Sequence, residues 1–297
     1  MSQQKFSGAG VALVTPFHKK AIDYSALEHL IQYVIDGGVD FIVSLGTTGE
    51  AITLSSQECR DVLDFTIKTV NGRLPIVAGF FGSNYTEKLV QSVRTYNFDG
   101  IAAIMSSSPA YSKPSQEGIY QHYMALAEAS PLPIIIYNVP GRTSSNVTAA
   151  TSVRLANASD KFMAVKEASG DLVQSMRILK NKPEHFQLWS GDDPLTLPLI
   201  SCGATGVVSV IANALPRQFS DMVRAAMRGD FANARRLNHL MLDIHPWLYI
   251  DGNPTGIKGA LEILGLCSGE VRTPLTTMEN DHYLSLKKEL AKVMELP

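Results

Sequence analysis

The stretch from Pro133 to Lys166, PIIIYNVPGRTSSNVTAATSVRLANASDKFMAVK, holds two short apolar runs, each ending in a side chain capable of chemistry. Pro133-Ile134-Ile135-Ile136 leads into Tyr137, and Phe162-Met163-Ala164-Val165 leads into Lys166. Strands apolar on both faces belong to a parallel sheet covered by helices. Working outward, similar runs recur at Val11-Ala12-Leu13-Val14, Phe41-Ile42-Val43-Ser44-Leu45, Pro75-Ile76-Val77-Ala78, Ile101-Ala102-Ala103-Ile104-Met105, Gln187-Leu188-Trp189-Ser190 and Val207-Val208-Ser209-Val210. Amphipathic helical patterns, such as Ser25 to Val34 and Ser56 to Val70, lie between most of them. This β-then-α alternation makes the chain α/β. Eight such units fit a (β/α)8 TIM barrel, usually about 250 residues long, better than an open doubly wound sheet.

The expected barrel occupies residues 1–225. After about Arg217 the pattern turns helical, at Phe219 to Met227, Asp230 to Ile244, Thr255 to Leu264 and Asn280 to Glu295. Residues 226–297 therefore read as a C-terminal helical extension. Gly229-Asp230 and Gly252-Asn253-Pro254 supply its helix-stop and turn chemistry. Packing on the barrel or on a neighbouring subunit is the expected purpose.

Composition excludes several function classes. The chain is 45% hydrophobic and 18% charged with net charge −2, which leaves no electrostatic footprint for nucleic acid or an anionic membrane. Cys59, Cys202 and Cys267 are odd in number and lack CxxC spacing, so neither a disulfide framework nor a zinc site is expected. The residues after Met1 show no signal-peptide pattern, and a cytoplasmic location is expected. Leu195 to Pro216 is uncharged and long enough to cross a bilayer. Pro198, Gly203 and Gly206 interrupt it, so it reads as a short buried helix followed by a buried strand. Gly8-Ala9-Gly10 is no dinucleotide fingerprint, because Leu13 replaces the third glycine. No cofactor is expected, and the histidines show no paired metal spacing, so no metal is expected either.

Lys166 carries the functional argument. Burial disfavours the ammonium form and turns a lysine into a nucleophile toward a carbonyl carbon. A lysine at a strand end can also snorkel into water. Other reactive side chains follow other strands, and in a parallel barrel those ends face one pocket. Gly46-Thr47-Thr48-Gly49 can offer backbone N–H groups and hydroxyls to a carboxylate, or it can be a plain glycine-rich turn. Tyr137 can exchange protons with a bound intermediate or sit in the core with a satisfied hydroxyl. Arg142 can fork onto a substrate carboxylate or be a solvated loop residue. Tyr111, between Pro109 and Pro114, is presented outward by a stiffened loop. Asp192 and Asp193 either support the site or cap the next helix.

Gly46-Thr47-Thr48-Gly49-Glu50, Tyr137-Asn138-Val139-Pro140-Gly141-Arg142-Thr143, Val165-Lys166-Glu167-Ala168-Ser169-Gly170, Ser190-Gly191-Asp192-Asp193 and Asn253-Pro254 together resemble the dihydrodipicolinate synthase and N-acetylneuraminate lyase family of Schiff-base aldolases. The resemblance runs nearly end to end. It implies that Lys166 forms the imine and Tyr137 moves protons, with Thr47 and Tyr111 completing a relay and Tyr111 reaching in from a neighbouring subunit. It assigns Thr48, Val208 and Gly191 to substrate contact, Val208 mainly through its backbone. Arg142 resembles the branch that condenses pyruvate with aspartate 4-semialdehyde into 4-hydroxy-tetrahydrodipicolinate. The rival readings are a sister aldolase acting on a sialic acid or another 2-keto acid, and a barrel that only binds a keto acid. A homotetramer built as a dimer of dimers is implied as well. Lysine-inhibited relatives carry a glutamate and an aromatic residue where Lys88 and Ala110 stand here, which implies weak or absent feedback by lysine.

Overall fold

A computed structural model describes residues 6–294, so the segment Met1 to Lys5 and Glu295, the expected end of the last helix, lie outside the described residues. Eight parallel strands close into a barrel: β1 (Gly8–Ala12), β2 (Phe41–Ser44), β3 (Ile76–Ala78), β4 (Ala103–Ser107), β5 (Ile134–Asn138), β6 (Phe162–Glu167), β7 (Gln187–Ser190) and β8 (Gly206–Ser209). Each pairs with its neighbours in chain order, and β8 returns to β1 with Gly8 opposite Gly206. The helices around it are α1 (Tyr24–Asp36), α2 (Ser56–Val70), α3 (Thr86–Thr95), α4 (Gln116–Ala129), α5 (Ala149–Ala158), α6 (Leu172–Asn181), α7 (Thr196–Ser201) and α8 (Pro216–Met227). The barrel read from the sequence is present, and the segment Leu195 to Pro216 is the expected short helix and strand.

Alternation sorts each strand's side chains between two cores. On β5, Ile134 and Ile136 face the helices while Ile135 and Tyr137 face the barrel interior. The interior is plugged by Phe6, Phe41 and Trp189, with Phe41 and Trp189 ring centroids 5.0 Å apart. Gly10 makes room for that plug, because a Cβ there would lie 2.2 Å from the Phe41 ring. β1 starts at Gly8, upstream of the Val11 to Val14 run that marks it in the sequence, because Gly8 to Val11 pair with Gly206 to Ser209 of β8.

Helix boundaries follow local chemistry. Ser55 and Glu58 form a capping box that starts α2, and Asn71 ends it in a left-handed conformation. The extension consists of α9 (Phe231–Leu242), α10 (His245–Tyr249), α11 (Thr255–Ile263) and α12 (Asn280–Met294). The single helix expected from Asp230 to Ile244 stops at Leu242, and α10 follows it with Pro246 in its first turn. Among the described residues, no helix is long and apolar enough to cross a membrane.

Candidate active site

Tyr137 and Lys166 are paired across adjacent strands at the C-terminal rim of the barrel. Ala164 belongs to the interior core, so Lys166, two residues on, points the same way. Its Nζ lies 4.2 Å from the centroid of the Tyr137 ring. Lys166 is 5% exposed and Tyr137 8% exposed, so the amine does not snorkel into bulk water. The floor beneath is Trp189, the Cα partner of Lys166 on β7.

The alternate residues Asn138 and Glu167 face outward and lock the two strands together. The Glu167 carboxylate accepts from Asn138 Nδ2 at 2.9 and 3.1 Å, from Gln174 Nε2 at 3.0 Å and from the Ser169 N–H at 2.8 Å. Asn138 Oδ1 in turn accepts from the Val147 N–H at 2.9 Å. A buried carboxylate satisfied by N–H donors holds both strand ends in register.

The turn after β2 comes from the other side. Gly49 N donates to Gly46 O and Glu50 N to Thr47 O, both at 3.1 Å, and Thr15 Oγ1 ties the turn to the preceding loop through Gly49 O. Thr48 is buried, and its hydroxyl accepts from Asn253 Nδ2 at 3.0 Å. Arg142 stands in the single helical turn Pro140–Thr143, where Nη2 donates to Asn253 O at 3.3 Å. A cavity of about 610 Å³ gathers Thr48, Tyr137, Arg142, Lys166 and Gly191. A second, of about 740 Å³, takes in Thr47 and shares Tyr137 and Arg142. Lys88 and Ala110 line that second cavity too.

Two of the residues picked from the sequence stand apart. Val208 is buried in the interior core, and Val210, two residues on, lines the first cavity instead. Tyr111 is 92% exposed, with φ 67° and its N–H bonded to Thr143 O at 3.0 Å, and its side chain lines neither cavity of its own protomer. Gly191 belongs where a side chain cannot go, since a Cβ would lie 2.6 Å from that of Ala168.

The aspartates do not cap the following helix. Asp193 Oδ2 accepts from the Val210 and Ile211 N–H groups at 2.9 and 2.8 Å, which fixes the backbone just past β8. Burial, and then the neighbouring Asp193, raise the Asp192 carboxyl above its ordinary value.

The extension contributes more than its sequence announces. His245, Tyr249 and Asn253 all line the first cavity. His245 is 3% exposed with neither ring nitrogen hydrogen-bonded, and burial pushes it down to about 4 against the opposing pull of Asp192. Asn253 was visible in a turn motif, but its bonds to Thr48 and Arg142 join residues far apart in the chain and leave no local signal. Asp251, Glu279 and His282 come within 4.8 Å of one another. Their hydrogen bonds, His282 Nδ1 to Asp251 at 2.8 Å and Glu279 N to Asp251 at 3.0 Å, fasten the start of α12.

This geometry agrees with comparisons to known proteins. A family model described as the dihydrodipicolinate synthetase family matches residues 5–293. The chain is 46% identical over 294 residues to a 4-hydroxy-tetrahydrodipicolinate synthase of Parabacteroides distasonis, covering 99% of each. A crystal structure of the chloride-inhibited dihydrodipicolinate synthase of Acinetobacter baumannii, complexed with pyruvate, superposes with a TM-score of 0.94 at 36% identity, over 98% of this chain and all of that one. The enzyme of Cyanidioschyzon merolae with lysine bound gives 0.93 at 36% identity, over 98% and 99%. Matched over nearly its whole length, with the lysine and tyrosine side by side at the barrel rim, the chain belongs to the dihydrodipicolinate synthetase family.

Proposed function

We propose that this protein is an imine-forming aldolase that condenses pyruvate with aspartate 4-semialdehyde to give 4-hydroxy-tetrahydrodipicolinate, in the diaminopimelate route to lysine. The observation that carries this reading is the Lys166 amine, buried and 4.2 Å from the Tyr137 ring centroid, in a cavity shared with Thr48 and Arg142. The Lys166 amine adds to the pyruvate ketone, and loss of water leaves a protonated imine. That cation is the electron sink: a methyl proton leaves and an enamine forms. The enamine carbon attacks the semialdehyde carbonyl, whose oxygen takes up a proton. The amino group of the former semialdehyde then attacks the imine carbon, and the ring closes as Lys166 is released.

Tyr137 moves these protons, with Thr47 and the Tyr111 of a neighbouring protomer completing the relay. Thr48, Gly191 and the backbone at Val208 bind pyruvate, and Arg142 orients the incoming carboxylate. The exposure of Tyr111 favours the pairing of two protomers, and two such pairs make the homotetramer that the resemblance implies. Residues 1–225 act as the catalytic barrel and residues 226–297 as its helical extension, and the protein works in the cytoplasm.

Borohydride reduction tests the reading. With pyruvate present, one pyruvate-derived group should be attached to the peptide carrying Lys166 and none in Lys166→Ala. Absence of the adduct in the parent protein, or its persistence in Lys166→Ala, overturns the assignment.

A further inference from the structure

Glu50 closes the Gly46–Glu50 turn in a left-handed conformation, φ 53°, and is 1% exposed. Its carboxylate meets Lys258 of α11, which is completely buried, at 2.5 Å. The Lys258 ammonium also donates to Glu270 O at 2.9 Å and lies 4.0 Å over the Phe17 ring. The second Glu50 oxygen accepts from the Arg272 N–H at 3.1 Å. Burial pulls the Lys258 amine below its ordinary value, and Glu50 works against that pull.

A buried ion pair seldom stabilises a fold more than well-packed apolar residues of the same volume, and what it fixes is geometry. Here it fixes the end of the turn that carries Thr47 and Thr48. A strained backbone at a non-glycine residue persists only where its surroundings over-determine it. Asn253, just ahead of α11, holds the Thr48 hydroxyl and Arg142 from the same side.

We propose that Glu50 and Lys258 are positioning residues: through them the helical extension sets where Thr47 and Thr48 stand, and so how tightly the pyruvate carboxylate is held. This rests on the imine-forming reading of the site.

The test uses the full chain as the parent, Lys258→Met, and the double variant Glu50→Gln/Lys258→Met, which removes both charges. The half-saturating pyruvate concentration for borohydride trapping is compared with melting temperature. In Lys258→Met the half-saturation point should rise about tenfold, the scale of one weakened hydrogen bond to a charged group, and the melting temperature should fall. In the double variant the melting temperature should recover while the half-saturation point stays raised. A half-saturation point unchanged in Lys258→Met overturns the proposal, as does its return to the parental value in the double variant together with stability. Should Lys258→Met not fold, the double variant decides alone, and its own failure to fold would make the pair purely structural. A parent that traps no pyruvate removes the site reading and this inference together, whereas a trapping parent with indifferent variants removes only the inference.

Discussion

His245 is a buried imidazole with no hydrogen-bond partner beside the Asp192 carboxyl, and its protonation is linked to folding. Its folded-state value of about 4 lies below the 6.5 of a free histidine. Between those values the unfolded chain binds a proton that the native state refuses, so stability falls as pH drops through that window. The contribution is fully present above about pH 6.5, and its loss approaches about 3 kcal/mol near the lower end. Replacing the imidazole by a ring that cannot titrate, in His245→Phe, should flatten this dependence. Denaturant unfolding at a series of pH values between 4 and 7 checks it, and equal slopes for parent and variant would contradict it. In the sequence His245 is one of seven histidines without paired metal spacing. What makes it unusual is the lid of neighbours that burial supplies, and one-dimensional spacing does not encode that.

Among the elements, α3 and the loop after β4 bring Lys88 and Ala110 to one cavity. A bound lysine would meet a cation at Lys88 in place of a carboxylate, and Ala110 offers it no ring to pack on. Initial rates measured across millimolar lysine should therefore stay within about twofold of the uninhibited rate, an effect worth less than 1 kcal/mol, and strong saturable inhibition would refute this. The elements also show which patterns were legible. β5 and β6 are continuous apolar runs and were placed directly. α2 was bounded to the residue, since its capping box and its terminal asparagine are local signals. The start of β1 is less legible, because Gly8 and Gly10 carry no strand propensity of their own and answer to distant neighbours, Gly8 to the Asp40 side chain and Gly10 to the Phe41 ring. In the sequence the extension shows only packing, because its contributions to the site run through Asn253 and Lys258, whose partners lie on the opposite end of the chain.

At the scale of the whole molecule, the barrel rim gathers Lys166, Tyr137, Thr48 and Arg142 within one protomer but leaves Tyr111 in solvent. If that ring serves a neighbour, Tyr111→Phe and Lys166→Ala proteins, each nearly inactive alone, should complement when dissociated and reassembled together. Random pairing completes one site in half of the dimers, so recovery should reach about a quarter of parental activity. Native mass spectrometry showing mixed assemblies without recovered turnover would contradict the arrangement. The exposed tyrosine has a genetic corollary. On that arrangement a copy that folds and pairs but lacks the ring silences its healthy partner's site while borrowing that partner's tyrosine for its own, so such an allele would lower output only in proportion to its dose, and output would drop more steeply than expression as the protein grows scarce.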